Sequence, residues 1–221
     1  MHQDIKSFVQ GLQDLFAEDL VSVILYGSAA RGGHVAGASD VNVLVILRTV
    51  ELGELSAAAE VLLKARGARI APTFWAEGEL RSSADVFPVE YRDILSSYQV
   101  VHGADLLAGV QVSERNLRHQ LEYELRSKLL RLRSDWLVLK GEPKALEAAL
   151  AAAGGAFSKL LEEAKKLAGL RLPEGTGGSF ERCRKLKRRE LRLGTAELEE
   201  LFGQVHDEVA ALAAAVDELG R

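Results

Sequence analysis

The chain has 221 residues, 48% of them apolar and 27% charged, the balance of a globular protein with room for one large or two small domains. No apolar run reaches the roughly 18 residues of a membrane-crossing helix, and the first residues, Met-His-Gln-Asp-Ile-Lys, lack the basic stretch and apolar core of a secretory signal, so neither is expected. The net charge of −4 is split unevenly: residues 1–108 carry 8 basic and 14 acidic side chains, and this acidic half does not suit broad contact with a nucleic acid backbone.

The first element is a helix. Ile5, Phe8, Val9, Leu12, Leu15 and Phe16 form an apolar stripe at helical spacing. Two short, β-branched runs follow, Val21–Tyr26 and 41–47, and each reads as a buried strand. Between them lies Gly27-Ser28-Ala-Ala-Arg31-Gly32, then a Gly-rich loop over 32–39. A Gly at the end of a strand lets the backbone turn tightly and lets a ligand come close. Ser28 offers a hydroxyl and an N–H at the start of a short helical turn expected over 29–34, a place that suits a phosphate group.

Asp40 and Asn42 open the second run. Side chains two apart on a strand share a face, so the pair presents two oxygen ligands side by side, a common way to hold Mg²⁺ against a triphosphate.

This stretch resembles the sugar- and protein-modifying branch of the nucleotidyltransferase fold, the group that includes DNA polymerase β and the aminoglycoside adenylyltransferases. The pattern there is an apolar residue, Gly, Gly or Ser, about a dozen residues, then Asp–apolar–Asp/Glu–apolar. Tyr26-Gly27-Ser28, the spacer 29–39, Asp40-Val41 and Val43 match it, and so does Arg31-Gly32. Asn42 departs from it, standing where the second carboxylate belongs.

The resemblance implies an α/β (α+β) fold, with an N-terminal nucleotidyltransferase-like mixed sheet over residues 1–109 and an all-α helical bundle over 110–221. It implies transfer of a nucleoside monophosphate from a nucleoside triphosphate, ATP first among them, to a hydroxyl on a small molecule or protein. Mg²⁺ would be held by Asp40 and Asn42, and Gly27 and Ser28 would contact the terminal phosphates. Arg31 either neutralises phosphate or braces the loop. A unit charge pair about 4 Å apart is worth roughly 4 kcal/mol at an effective dielectric of 20. Losing half of that to Asn42 still costs more than a tenfold step of about 1.4 kcal/mol in metal affinity.

Leu52–Gly67 reads as a second helix with Gly67 as its C-cap, and Arg69–Trp75 as a strand. In the family this strand supplies a third carboxylate. Here its middle offers only Ala71, Pro72, Thr73 and Phe74, with Glu77 at the far end, and Pro72 marks an edge strand. The two departures together point to a site that binds nucleotide weakly and catalyses poorly or not at all. The alternative is a non-catalytic nucleotide- or partner-binding protein, antitoxin-like or regulatory. Residues 82–107 look like the segment that follows in many members of the group, with Asp85, Glu90 and Asp93 as candidates for displaced acids. Tyr98–Val101 reads as a strand and His102-Gly103 as a turn.

Beyond 110 the pattern is helical. Leu117, Leu121, Leu125, Leu129, Leu132, Trp136 and Leu139 form a long stripe that starts after Ser113 and stops at Gly141. Pro143 opens another stripe running to Leu170, interrupted by Gly154-Gly155, which signals either a break or a close helix crossing. The basic run 182–192 reads as a solvated face paired with Glu181 and Glu190, ahead of a phosphate-binding surface. Thr195 is the expected cap of a last helix. Cys183 allows no intrachain disulfide, which fits a reducing, cytoplasmic setting; it reads as an ordinary helix residue, and the five histidines show no metal spacing. A homodimer through a bundle face is left open.

Overall fold

A computed structural model describes residues 3–31, 40–65 and 69–220. It divides into two compact units, Met1–Ser113 and Glu114–Arg221. The first is mixed α/β and the second is all helical. No helix among the described residues is long and apolar enough to cross a membrane.

In the first unit, α1 (Gln3–Phe16) and a 3-10 turn lead into β1 (Leu20–Tyr26), followed by β2 (Val41–Leu47), α2 (Leu52–Lys64), β3 (Ile70–Ala76), α3 (Glu77–Ser82), α4 (Pro88–Ser96) and β4 (Tyr98–Gly103). The sheet order is β3-β2-β1-β4. β1 runs antiparallel to β2 and β4, while β2 and β3 are parallel. This is the small mixed sheet expected of the fold class. Pro72 lies on the edge strand β3, where a missing N–H costs no ladder bond.

Both faces of the two central strands are covered, so their sequences are apolar almost throughout. Val23 and Leu25 of β1 and Val41, Val43, Val45 and Leu47 of β2 pack with α1 and α2. Ile24, Leu44 and Ile46 face the other way, against Leu80 of α3, Tyr91 and Ile94 of α4, and Leu107. Ser22 is the polar exception inside β1: fully buried, it donates its hydroxyl to the His102 carbonyl at 3.1 Å. The turn expected at His102-Gly103 is instead the end of β4, which pairs His102 with Val23 and Gly103 with Ser22. A side chain at 103 would run into the Val21 carbonyl oxygen, so the strand continues only because the residue is Gly. The C-cap expected at Gly67 lies outside the described residues.

The second unit packs α5 (Glu114–Leu139), α6 (Pro143–Ala164), α7 (Gly178–Lys187) and α8 (Thr195–Glu218) into a bundle. α8 is capped one residue earlier than expected, by Gly194, and the Glu197 carboxylate accepts the Gly194 N–H at 2.8 Å. α6 runs unbroken through Gly154-Gly155, and the pair splits in role. A Cβ on Gly154 would sit 2.6 Å from Cys183 Cβ and 3.0 Å from the Arg184 N, whereas one on Gly155 would meet nothing within 4 Å. Gly154 is therefore where α7 crosses close, and Gly155 is incidental.

Alanine has opposite effects at the two positions. Gly155→Ala stabilises through helix propensity, by up to about 1 kcal/mol. Gly154→Ala has the same propensity gain, but crowding that costs about 1–3 kcal/mol outweighs it, so stability falls. Urea unfolding of the two variants side by side checks the contrast in sign.

Candidate functional site

The site lies at one end of the β1–β2 pair. Tyr26 and Asn42 are the last residues in register, so β1 leaves the sheet where β2 enters it. Gly27 follows with φ 71°, a left-handed turn that a β-carbon would strain by about 1–2 kcal/mol. Its N–H donates to the Ser97 carbonyl at 3.0 Å, anchoring the turn to the start of β4. That hydrogen bond occupies the Gly27 N–H. A Cβ on Gly27 would lie 3.3 Å from Asn42 Nδ2. The bare glycine thus leaves the space in which the Asn42 amide stands beside the turn.

Residues 27–31 form a turn, not the first turn of a helix, and the rest of the helical stretch expected over 29–34, like Gly32 and the Gly-rich loop 32–39, lies outside the described residues. Ser28 is half-buried in this turn, and Arg31 at its end is exposed. Alternation along β2 puts Asn42 on the Leu44 and Ile46 face, with Tyr26 opposite it. Asn42 is half-buried, and Asp40, one pleat further out, is exposed. Glycine, serine and the Asp40–Asn42 pair are thus gathered at one open end of the sheet.

Asp40 is held by a residue that the sequence reading treats only as the start of a strand. Arg69 directs both Nε and Nη2 to Asp40 Oδ1, each at 3.0 Å. The backbone brings the two together: the Val41 N–H donates to the Arg69 carbonyl at 3.0 Å, and parallel pairing of Val41 with Ile70 sets Arg69 level with Asp40. Arg69 itself has φ 48°, a left-handed conformation that non-glycine residues seldom adopt. Both side chains are about half exposed, so solvent limits the pair to about 0.2–1 kcal/mol. One signal was present in the sequence, a basic residue immediately before a strand. Its partner depends on a pairing register between strands far apart in the chain.

The third carboxylate is absent from the place where the family resemblance puts it. β3 sets Ala71 level with Asn42 and Thr73 level with Leu44. Glu77 begins α3 at the opposite end of β3, about 26 Å along a strand from Arg69, and its carboxylate accepts from Arg81 at 2.8 Å. Asp85 is exposed before α4, while Glu90 and Asp93 lie on α4. Among the described residues no three His, Cys, Asp or Glu side chains are grouped to hold a metal ion. The donor set at the strand end is one neutral amide and one carboxylate already paired with Arg69, a poor fit to Mg²⁺, which at phosphate sites takes one or two carboxylates beside the phosphate oxygens.

The other candidates resolve into structure. Cys183 is fully buried under the α6–α7 crossing, and burial, outweighing the nearby Arg182 charge, pushes its thiol up to about 12. In the basic run, Arg184 and Arg188 pair with Glu181, Arg188 also reaches Glu190, and Arg182 donates to Gln204 at 2.7 Å. His102 lies 2.7 Å from the Gln13 amide, and His206 lies 2.9 Å from Asp207.

No family model matches the chain, and no curated protein matches it. Among solved structures it is similar to the spectinomycin adenyltransferase AAD(9) from Enterococcus faecialis, solved with ATP and spectinomycin, at 10% identity and a TM-score of 0.48, over 85% of this chain and 98% of that one. That likeness is coarse, and the functional reading rests on the strand end itself.

Burial also raises the Tyr91 hydroxyl to about 12, and this hydroxyl donates to the Leu80 carbonyl. Tyr91 and Cys183 keep their protons in the folded chain at a pH where the unfolded chain loses them. Their contribution to stability is therefore complete below about pH 9 and declines as pH rises from about 9 towards 12. Urea midpoints should fall across that range, and less steeply in Cys183→Ala. Cys183 should also resist thiol reagents at pH 8 until the chain unfolds.

Proposed function

We propose that the first unit is a nucleotidyltransferase-fold domain that binds the polyphosphate of a nucleoside triphosphate at the β1–β2 end and has lost most of its capacity for transfer. The observation that carries this reading is the Asn42 amide standing against the bare Gly27 turn across an antiparallel pair, with Asp40 one pleat beyond. A turn that excludes side chains, with a hydroxyl and an amide N–H beside it, suits phosphate oxygens. Ser28 and Asn42 are the donors, and Gly27 keeps the approach open.

Transfer asks for more. The acceptor hydroxyl must lose a proton as its oxygen attacks the α-phosphorus, while pyrophosphate departs with its charge neutralised. Ala71 and Thr73, on the Asn42 face of β3, cannot take that proton near neutral pH, and Asn42 brings no charge. Asp40, the remaining carboxylate of the Asp40–Asn42 pair, is already met by Arg69. The nucleotide is ATP, and the acceptor class for any residual transfer is a small-molecule or protein hydroxyl.

Calorimetric titration tests the binding half. ATP should bind, and Gly27→Val should weaken it by at least about tenfold by filling the approach beside Asn42, with circular dichroism checking that the variant folds. A wild-type chain that binds no nucleoside triphosphate ends this reading. Release of pyrophosphate from ATP with candidate acceptors should stay near background.

A further inference from the structure

The donor set at the strand end disagrees with the metal that the family resemblance implies, and the disagreement follows a charge pattern. Where two carboxylates would stand, one is an amide. Where a third would stand on β3, there are Ala71 and Thr73. The remaining carboxylate, Asp40, is already met by a guanidinium, with Nε and Nη2 of Arg69 both 3.0 Å from Oδ1. A second cation, Arg31, is exposed at the end of the Gly27 turn. Together Asp40, Asn42, Arg31 and Arg69 carry a net charge of +1, from two guanidiniums and one carboxylate. A site of two or three carboxylates is anionic and needs a divalent cation before it can accept a polyphosphate. A site with net positive charge does not.

We infer that this chain takes the polyphosphate of a nucleotide without a divalent cation, with Arg69 in the position the metal would fill. The inference rests on the nucleotide reading above and specifies how that site is neutralised. Arg69 suits the role chemically, because a guanidinium is always charged and presents a planar fork of donors to phosphate oxygens. It is also held in place: its carbonyl accepts the Val41 N–H, and the backbone keeps a φ of 48° there. The Asn42 amide completes the set. It can donate to phosphate, as a carboxylate cannot, and it adds no repulsion. The half-exposed Asp40–Arg69 pair is weak enough to open when phosphate arrives.

The two ways of neutralising the site give opposite signs for Asp40→Asn. A metal ligand replaced by an amide weakens binding. A carboxylate removed from beside a polyphosphate that is neutralised by arginine leaves binding unchanged or tightens it. Calorimetry on the full chain with ATP, and with inorganic triphosphate as a probe lacking base and sugar, should be run in EDTA and in Mg²⁺. Both probes should bind in EDTA at least as tightly as in Mg²⁺, Asp40→Asn should match or exceed the wild type, and Arg69→Gln should lose about tenfold in EDTA with partial recovery in Arg69→Lys. Binding that appears only with Mg²⁺, or a tenfold loss in Asp40→Asn, overturns this inference and leaves the nucleotide reading standing. An absence of ATP binding in both buffers overturns the two together. Asp40→Asn is isosteric at an exposed position, so the test stands even if an Arg69 variant fails to fold.

Discussion

The antiparallel register of β1 and β2 is the constraint on which the site depends. It ends with Tyr26 opposite Asn42, and this places the Gly27 turn against the Asn42 amide. A slip of one residue would turn Asp40 and Asn42 towards the face packed by α1 and α2, burying an amide among Val23, Leu25 and the helix side chains. An unpaired buried amide costs about 1–3 kcal/mol on mutational scales, so the fold and the site favour the same register. The buried Ser22, satisfied by the His102 carbonyl, ties β4 to the other edge of β1. The Gly27–Ser97 bond then holds the turn from the β4 side.

The electrostatics of the strand end follow from β3 more than from the motif itself. Parallel pairing of β2 with β3 fixes two things together. It sets Ala71 and Thr73 where a base would be useful, and it brings Arg69 beside Asp40. The neutral side chains level with Asn42 and Leu44 and the guanidinium beside Asp40 thus share one strand alignment. A lone Asn42 substitution would leave an anionic site with reduced metal affinity. Combined with Arg69, it describes a strand end where one carboxylate is balanced by one guanidinium.

Much of this was readable from the residues in order. The apolar runs 21–26 and 41–47 announce strands buried on both faces, because β-branched residues packed on both sides leave no polar alternation. The Gly27-Ser28 and Asp40–Asn42 spacing located the strand end before any geometry. The helical stripes beyond 113 gave the second unit its character, and the Glu181 and Glu190 partners of the basic run were in reach within a few residues along the chain. The short helices α3 and α4 were not distinguished, since six and nine residues carry too few turns for a clear period. The His102-Gly103 pair read as a turn because Gly marks turns locally, while its strand pairing is set by contact with Val21 and Ser22 far away in sequence.

By itself the sequence determined the longer elements, the candidate strand end, the neutral residue at position 42 and the lack of an acid in the middle of β3, because each is a matter of residue type and local period. Tertiary structure alone decided that the Gly27 N–H is taken by Ser97, that Gly154 and not Gly155 is the crossing point, and that Arg69 meets Asp40. These facts depend on which distant segments lie side by side. That pairing is settled by packing the sheet faces and the helix crossing, which no local window of residues contains.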